Sequence, residues 1–180
     1  RVFTELTEIA RAEAGIGRSE FQPLDLAELA RDAAEFYQPV AQEYGTTVTV
    51  SGETTMVHGH RALLNQALSN LLENAIRFAP AGSEIAVQTR QAGSRAILSV
   101  ADRGKGVPAT GRERILEPFV TLEPSRTDGN SGLGLALVAS VARLHDGAVT
   151  LSDNAPGLVV SIEIPNAPRA TSIRSGASSG

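Results

Sequence analysis

The chain has no cysteine and no long hydrophobic run, and its basic residues are scattered. Without cysteine, disulfide bridges and thiolate zinc sites are excluded. No apolar run approaches the roughly 20 residues that a helix needs to cross a bilayer, and no signal-peptide pattern is visible. The net charge of −4, without a cluster of basic residues, argues against a nucleic-acid-binding surface.

The length of 180 residues is sufficient for one domain with its own hydrophobic core. Because the chain begins at Arg1 within a helical pattern, we expect it to be a fragment of a longer protein. We predict the end of a helix over 1–17, a linker over 18–24 and one domain over 25–165. The Ala-, Ser- and Gly-rich segment 166–180 is predicted to be disordered.

Apolar periodicity predicts the secondary structure of the domain. Asp25 is expected to cap a helix that ends near Gly45, with Glu28 completing a capping box. Two further helices are expected over 60–78 and 132–145, and strands over 47–51, 56–58, 84–90, 95–101, 149–152 and 158–164. This order indicates helices packed on one face of a mixed sheet. Residues 103–131 are too long for a plain connection and predict a functional loop.

The second helix carries a polar stripe opposite its leucines. Asn70, Asn74 and Arg77 follow i, i+4, i+7 spacing and share one face, although asparagine is a poor helix former. An amide oxygen is a suitable Mg²⁺ ligand, and arginine binds phosphate oxygens. The alternative is a solvated face on which Arg77 pairs with Glu73.

Asp102 lies at the end of a predicted strand and begins an Asp-x-Gly-x-Gly segment. A carboxylate there can accept a hydrogen bond from the exocyclic amine of adenine. Gly104 and Gly106 allow the backbone to approach a flat ring closely. The alternative is an ordinary Asp-x-Gly turn. No Gly-x-x-x-x-Gly-Lys-Ser/Thr loop is present.

A glycine-rich turn, Gly132-Leu133-Gly134, opens the third helix. Small residues at a helix N-terminus expose backbone N–H groups that bind anions such as phosphates. The alternative is a flexible linker, but a solvated hinge does not require Leu133. The three segments in this order predict a site for a purine triphosphate.

The combined motifs resemble the catalytic and ATP-binding domain of bacterial sensor histidine kinases. Asn70-Leu-Leu-Glu-Asn74 resembles the N box of that family, and Asp102-x-Gly104-x-Gly106 its first glycine box. Glu117-Pro118-Phe119 resembles the F box, and Gly132-Leu-Gly134-Leu the second glycine box. The same Bergerat fold occurs in type II topoisomerases, Hsp90 chaperones and MutL repair ATPases.

The resemblance implies an α+β fold: a two-layer α/β sandwich with a mixed, mostly antiparallel sheet, about three helices on one face and a flexible ATP lid. It implies ATP and Mg²⁺ as cofactors, with Mg²⁺ on Asn74 and catalytic roles for Asn70 and Arg77. The residues implied to bind ATP are Asn70, Asn74, Arg77, Phe78, Asp102, Gly104, Gly106, Val107, Phe119, Ser131, Gly132, Leu133 and Gly134.

Position 70 separates the subclasses of this family. The hydrolysing relatives carry a glutamate four residues before the Mg²⁺-binding asparagine. Here that position is Asn70, whose amide cannot act as a base. Transfer to a histidine needs no such carboxylate, because the imidazole is itself the nucleophile. The sequence therefore favours a protein-histidine kinase over an ATPase.

The phosphoacceptor segment of the family is missing. None of His58, His60 and His145 has an acceptor context, so the chain is expected to bind ATP without autophosphorylating alone. Three alternatives stay open: a degenerate kinase that signals by conformation, a hydrolytic ATPase of the same fold, and a serine kinase of the anti-sigma-factor type. A metal shared by His58 and His60 is a further, weaker alternative.

The resemblance also implies partners and location. The expected partners are the protein's own dimerisation and histidine phosphotransfer domain, in a homodimer, and the receiver domain of a response regulator. No nucleic-acid partner is expected. We expect a cytoplasmic domain of a parent protein that is attached to the bacterial inner membrane.

Overall fold

The computed structural model describes residues 2–15, 17–121 and 132–167. Its helices are α1 (Val2–Glu13), α2 (Leu26–Glu43), α3 (Arg61–Phe78) and α4 (Gly134–Leu144). Its strands are β1 (Gln22–Asp25), β2 (Thr47–Gly52), β3 (Met56–Gly59), β4 (Glu84–Ala92), β5 (Arg95–Ala101), β6 (Ala148–Asp153) and β7 (Leu158–Pro165). The helices and strands predicted from periodicity are therefore confirmed, with shifts of a few residues at their ends.

The main sheet has the strand order β2-β4-β5-β7-β6. β2 pairs with β4 in parallel, whereas β4–β5, β5–β7 and β6–β7 are antiparallel. β1 and β3 form a separate two-stranded antiparallel sheet. The prediction of a mixed, mostly antiparallel sheet is confirmed.

The hydrophobic core lies between one face of this sheet and the helices. Val87, Val100 and Val160 are aligned across β4, β5 and β7, and all three are buried. The leucines of α3 and the apolar residues of α2 and α4 belong to the same buried cluster. Because successive side chains of a strand point to opposite faces of the sheet, every second side chain of β4 points into this core layer.

Asp25 caps α2, as its position predicted. Its Oδ1 accepts hydrogen bonds from the backbone N–H groups of Ala27 at 2.9 Å and Thr55 at 2.8 Å. Glu28 has a different role from the one predicted in a capping box. It pairs with Arg61 at the start of α3, at 3.2 Å, because a charged partner from another helix is within its reach.

The predicted linker over 18–24 contains secondary structure of its own. It contains a short 3-10 helix over Arg18–Glu20 and most of β1, which pairs with β3. A four-residue strand containing Pro23 is too short to show alternation in the sequence, and proline is tolerated in an edge strand. Hydrogen-bonded structure also continues past position 165, since Asn166 donates to Ser94 and Ala167 to Met56. The rest of the predicted tail lies outside the described residues.

No helix in the described ranges is long and apolar enough to cross a membrane.

Candidate functional site

A cleft opens between the C-terminal half of α3, the ends of β5 and β7, and the start of α4. It brings together side chains and backbone from all three sequence motifs. The predicted site residues that line it are Asn74, Phe78, Asp102, Gly106, Val107, Gly132 and Gly134.

Other predicted site residues lie around the cleft and do not line it: Asn70, Arg77, Gly104, Phe119 and Leu133. Leu133 is fully buried, so its side chain belongs to the core. A Cβ placed on Gly134 would lie 3.5 Å from Oδ1 of Asn70, which puts that amide beside the first residue of α4. Ser131 lies outside the described residues, as does segment 122–130 of the predicted lid.

Sequence reasoning predicted Phe78 and Val107 in the apolar wall of the cleft and missed the rest of it. The additional lining residues are Leu71, Ala75, Val100, Lys105, Ile115, Val120, Thr121, Leu135, Leu158 and Val160. Leu71 lies three residues before Asn74 and four before Ala75, the spacings that place residues on one side of a helix, so helical geometry could have indicated both. Val100 and Val160 meet through the β5–β7 register, which no local pattern specifies. The wall provides the apolar surroundings that a planar aromatic base requires.

Asp102 brings a carboxylate to the apolar side of this cleft, and it is only 8% exposed. Its Oδ1 accepts the backbone N–H of Gly104 at 2.7 Å. Burial raises the pKa of the carboxyl group, and the hydrogen bonds to the backbone amides of Gly104 and Leu158 partly oppose that rise. A buried carboxylate in an apolar pocket binds a hydrogen-bond donor strongly, because the donor replaces the water that burial removed.

The backbone at Asp102 is held by the turn between β6 and β7. Asn154 Nδ2 donates to the Asp102 carbonyl at 2.6 Å, and the Asp102 N–H donates to the Leu158 carbonyl at 3.0 Å. Gly157 has a φ of 118°, and a Cβ there would lie 1.9 Å from the Asp102 carbonyl oxygen. These contacts fix the carboxylate in position, and sequence spacing alone did not identify them.

Arg77 lies one turn beyond Asn74 on α3 and is partly buried. Its Nη1 is buried and has no hydrogen-bond partner among the described residues. A buried guanidinium nitrogen without a partner is costly. Within the described ranges, the protein therefore leaves this nitrogen available for an anion or another polar partner.

The first glycine box packs directly on the end of α3. A Cβ on Gly104 would lie 2.6 Å from the carbonyl oxygen of Phe78 and 3.0 Å from Oδ1 of Asp102. Any side chain at position 104 therefore pushes the Asp102 loop away from the helix that carries Asn74.

We expect Gly104→Ala to lower the stability of the protein by about 1–3 kcal/mol, as typical overpacking does. Gly134→Ala is a matched control in the same cleft, because its Cβ would meet the nearest neighbouring atom at 3.5 Å, an ordinary contact. Thermal unfolding followed by circular dichroism measures both. Equal midpoints for the two variants would contradict the packing argument.

The N-terminus of α4 faces the cleft through Gly134 and Leu135. Leu133 at the N-cap has no side-chain oxygen to satisfy the first N–H groups of the helix. Backbone amides at a helix N-terminus attract anions through their hydrogen bonds and the helix dipole. The Phe119 N–H donates to the Gly132 carbonyl at 3.0 Å, which joins the two ends of segment 119–132. Phe119 itself is 62% exposed.

The residues present fit a nucleotide with a divalent cation. Asp102 offers an acceptor at the apolar end, the α4 amides offer donors for phosphates, and Asn74 offers an amide oxygen. Arg77 lies beside the cleft on the same helix as Asn74. Among the described residues no group of three or more His, Asp or Glu side chains could hold a metal ion. His60 caps α3, since its Nδ1 accepts the Leu63 N–H at 3.4 Å.

Comparison with known proteins places the chain among sensor kinases. The model of the family described as "Histidine kinase-, DNA gyrase B-, and HSP90-like ATPase" matches residues 59–168. The sensor protein IrlS of Burkholderia pseudomallei is 36% identical over 149 residues, 82% of this chain and 32% of IrlS. The sensor-like histidine kinase SenX3 of Mycolicibacterium smegmatis is 30% identical over 168 residues, 91% of this chain and 44% of SenX3. The chain thus spans less than half the length of these relatives.

Solved structures agree with this result. Full-length ShkA, in a complex with AMPPNP, is 32% identical with a TM-score of 0.79, over 91% of this chain and 35% of ShkA. The mycobacterial sensor histidine kinase MprB is 29% identical with a TM-score of 0.73, over 82% of this chain and 99% of the MprB chain. The predicted two-layer Bergerat fold is confirmed by these neighbours.

Proposed function

The chain belongs to the histidine kinase-, DNA gyrase B- and HSP90-like ATPase family, as the ATP-binding catalytic domain of a sensor histidine kinase, and we propose that its own cleft binds Mg²⁺-ATP for transfer of the γ-phosphate to a histidine. The observation that carries this proposal is the cleft in which Asp102, Asn74 and the N-terminus of α4 converge. We further propose that the catalytic domain occupies residues 25–165, with the acceptor histidine outside these 180 residues.

We assign the two ends of the ligand from the chemistry of the cleft. The Asp102 carboxylate accepts the exocyclic amine of adenine, while Val107 and the apolar wall of β5 and β7 enclose the ring. Phe78, 44% exposed, closes the open side of this pocket. The backbone amides of Gly132 and Gly134 face the phosphates, and Phe119 anchors the lid. Ser131, which lies outside the described residues, stays a predicted ATP-binding residue.

We assign the phosphate end to α3. The Asn74 amide oxygen holds Mg²⁺, which neutralises phosphate charge when bound. Arg77 is assigned to the phosphates as well, and its guanidinium, which is buried beside the cleft, turns toward the ligand to reach them. The rate enhancement is then mainly positioning and charge neutralisation, as expected for phosphoryl transfer.

Transfer is proposed instead of hydrolysis because no carboxylate is available to activate water at position 70. The Asn70 amide lies beside Gly134, where it can orient a group but cannot accept a proton. The nucleophile must then carry its own reactive lone pair, as imidazole does.

We expect the isolated chain to bind ATP and release phosphate only at the background rate in a steady-state coupled assay. A phosphoacceptor domain from the parent protein, added in trans, should become labelled from γ-³²P-ATP, and Asn74→Ala should abolish labelling. Ser69→Ala, five residues earlier on α3, is the control and should retain labelling. Continuous phosphate release by the chain alone would support an ATPase and contradict the proposed transfer.

We also propose the partners and location that the relatives suggest. The whole protein would dimerise through a preceding helical domain and pass its phosphoryl group to the receiver domain of a response regulator. The parent would be attached to the inner membrane, with this domain in the cytoplasm.

A further inference from the structure

A buried histidine lies at the C-terminal end of α4, on the side of the domain that contacts the linker. His145 is 3% exposed. Its Nδ1 is 2.7 Å from the Val141 carbonyl oxygen, and its Nε2 accepts the His60 backbone N–H at 3.0 Å. Because Nε2 acts as an acceptor and Nδ1 faces a carbonyl, both bonds require the neutral ring with its proton on Nδ1.

The segment between α1 and α2 is seated on this histidine. The Phe21 ring stacks on the His145 ring, with centroids 4.5 Å apart and planes 15° apart. Position 59 must be glycine, since a Cβ there would lie 2.8 Å from Cδ2 of His145. The imidazole thus has an aromatic neighbour from the linker and close backbone from the domain.

Two charged contacts flank the stack. The Arg18 guanidinium binds Asp146 with two hydrogen bonds, at 2.7 and 3.0 Å, and Glu20 lies 3.3 Å from Nε2 of His60. Arg18, Glu20 and Phe21 on the linker, with His60, His145 and Asp146 on the domain, form what we call the linker latch. Preceding it, Ile9 of α1 is buried in the same core as α4.

We propose that the linker latch holds α1 and the linker on the ATP-binding domain, and that protonation of His145 opens it. A proton on Nε2 would point at the His60 N–H, so that two donors oppose each other and a cation is buried beneath Phe21. The latch concerns attachment of the linker and does not depend on nucleotide binding.

The surrounding charges define the direction of the pH effect. Burial is the main cause that lowers the pKa of His145, reinforced by His60 and Arg18; the Val141 carbonyl and Asp146 act in the opposite direction. A lowered pKa means that the closed latch favours the neutral ring. The closed latch is therefore fully stabilised at pH values above 6.5, the ordinary pKa of histidine. This stabilisation is lost as the pH falls below that value.

The other charged groups of the latch do not account for opening in this range. The hydrogen bond from Arg18 lowers the pKa of Asp146, so this carboxylate stays ionised and the ion pair persists in weak acid. Arg95 donates a hydrogen bond to the Asp146 carbonyl at 2.9 Å. Glu20 and His60 also face each other beside the stack, with Oε2 of Glu20 3.3 Å from Nε2 of His60.

The test measures the distance between α1 and the sheet. The chain has no cysteine, so Ala10→Cys and Gln88→Cys, both at exposed positions, can carry spin labels for double electron–electron resonance without nucleotide. We expect one narrow distance distribution at pH ~7.5. At pH ~5.5 the separated population should increase by up to about tenfold, the limit for one proton that binds the open state with the ordinary pKa of 6.5.

Variants assign this change to the latch. His145→Gln should remove the pH response. His58 is exposed and meets the edge of the Phe21 ring, with centroids 6.1 Å apart, outside the stack with His145, so His58→Gln should keep the response. Arg18→Ala should already increase the separated population at pH ~7.5 by up to about fivefold, as loss of an exposed ion pair allows; Arg103→Ala, an exposed arginine outside the latch, should not.

Three results would overturn the proposal: identical wild-type distances at both pH values, an unchanged pH response in folded His145→Gln, or equal behaviour of Arg18→Ala and Arg103→Ala. Circular dichroism at each pH verifies the fold. If His145→Gln does not fold, the wild-type and arginine comparisons still decide the outcome.

Discussion

Replacing Asp102 by asparagine should weaken ATP binding by about 100-fold or more while leaving the protein folded. The amide introduced at position 102 would keep an oxygen for the Gly104 N–H but would present an NH₂ group to the adenine amine. The loss combines a charge-assisted hydrogen bond with a buried unsatisfied donor, together about 3–5 kcal/mol. Calorimetric titration with a non-hydrolysable ATP analogue measures it.

The stability of the same variant gives an independent test. Burial raises the pKa of Asp102, so the folded state disfavours the ionised carboxylate. The resulting loss of stability begins as the pH rises above 3.8, the ordinary pKa of aspartate, and is complete above the raised pKa of the folded protein. At pH ~7 the neutral amide in Asp102→Asn removes the cost, and the unfolding midpoint should not fall. Asp32→Asn, at an exposed aspartate paired with Arg61, is the control and should bind normally. Normal binding by Asp102→Asn would refute the assigned adenine contact.

Replacing Arg77 by methionine should stabilise the nucleotide-free protein and weaken ATP binding at the same time. The buried Nη1 has no partner in the described part of the chain, and such a group costs about 1–3 kcal/mol. Methionine retains the aliphatic stem and its packing. We expect a rise of the unfolding midpoint by about 2–4 °C for each kcal/mol recovered.

The affinity of Arg77→Met should fall by about 10- to 100-fold, since a charge-assisted contact to phosphate is lost. Arg61→Met is the matched control: Arg61 pairs with Glu28 and Asp32 on the surface, so its loss should change neither property strongly. A destabilised Arg77→Met with unchanged affinity would mean that Arg77 has a structural role only.

The parts of the site that could be predicted from sequence are those specified by local spacing. Asn74 and Arg77 lie on α3, whose leucine stripe determines which side of the helix is buried. Asp102 follows β5 directly, and Gly132 precedes α4. In each case the site residue lies within a few residues of the helix or strand that positions it. Apolar periodicity and turn chemistry therefore predict the residue and the element together.

The parts that could not be predicted depend on contacts between distant segments. Asn154 and Gly157 hold the backbone of Asp102 across about fifty residues of sequence, and the Val100–Val160 wall exists only through strand register. β1 forms because β3 provides its hydrogen-bonding partner, and Phe21 stacks on His145 from a distant part of the sequence. Such pairings are decided by tertiary packing, which local propensity does not encode.

The most direct test of the central claim is a calorimetric titration of the chain with a non-hydrolysable ATP analogue, with and without Mg²⁺, beside Asn74→Ala. We predict saturable binding at one site, strengthened by Mg²⁺ in the wild-type protein. Asn74→Ala should bind the analogue without Mg²⁺ and gain nothing when Mg²⁺ is added. No binding by the wild-type protein, or the same Mg²⁺ dependence in Asn74→Ala, would contradict the account of this cleft as a Mg²⁺-ATP site.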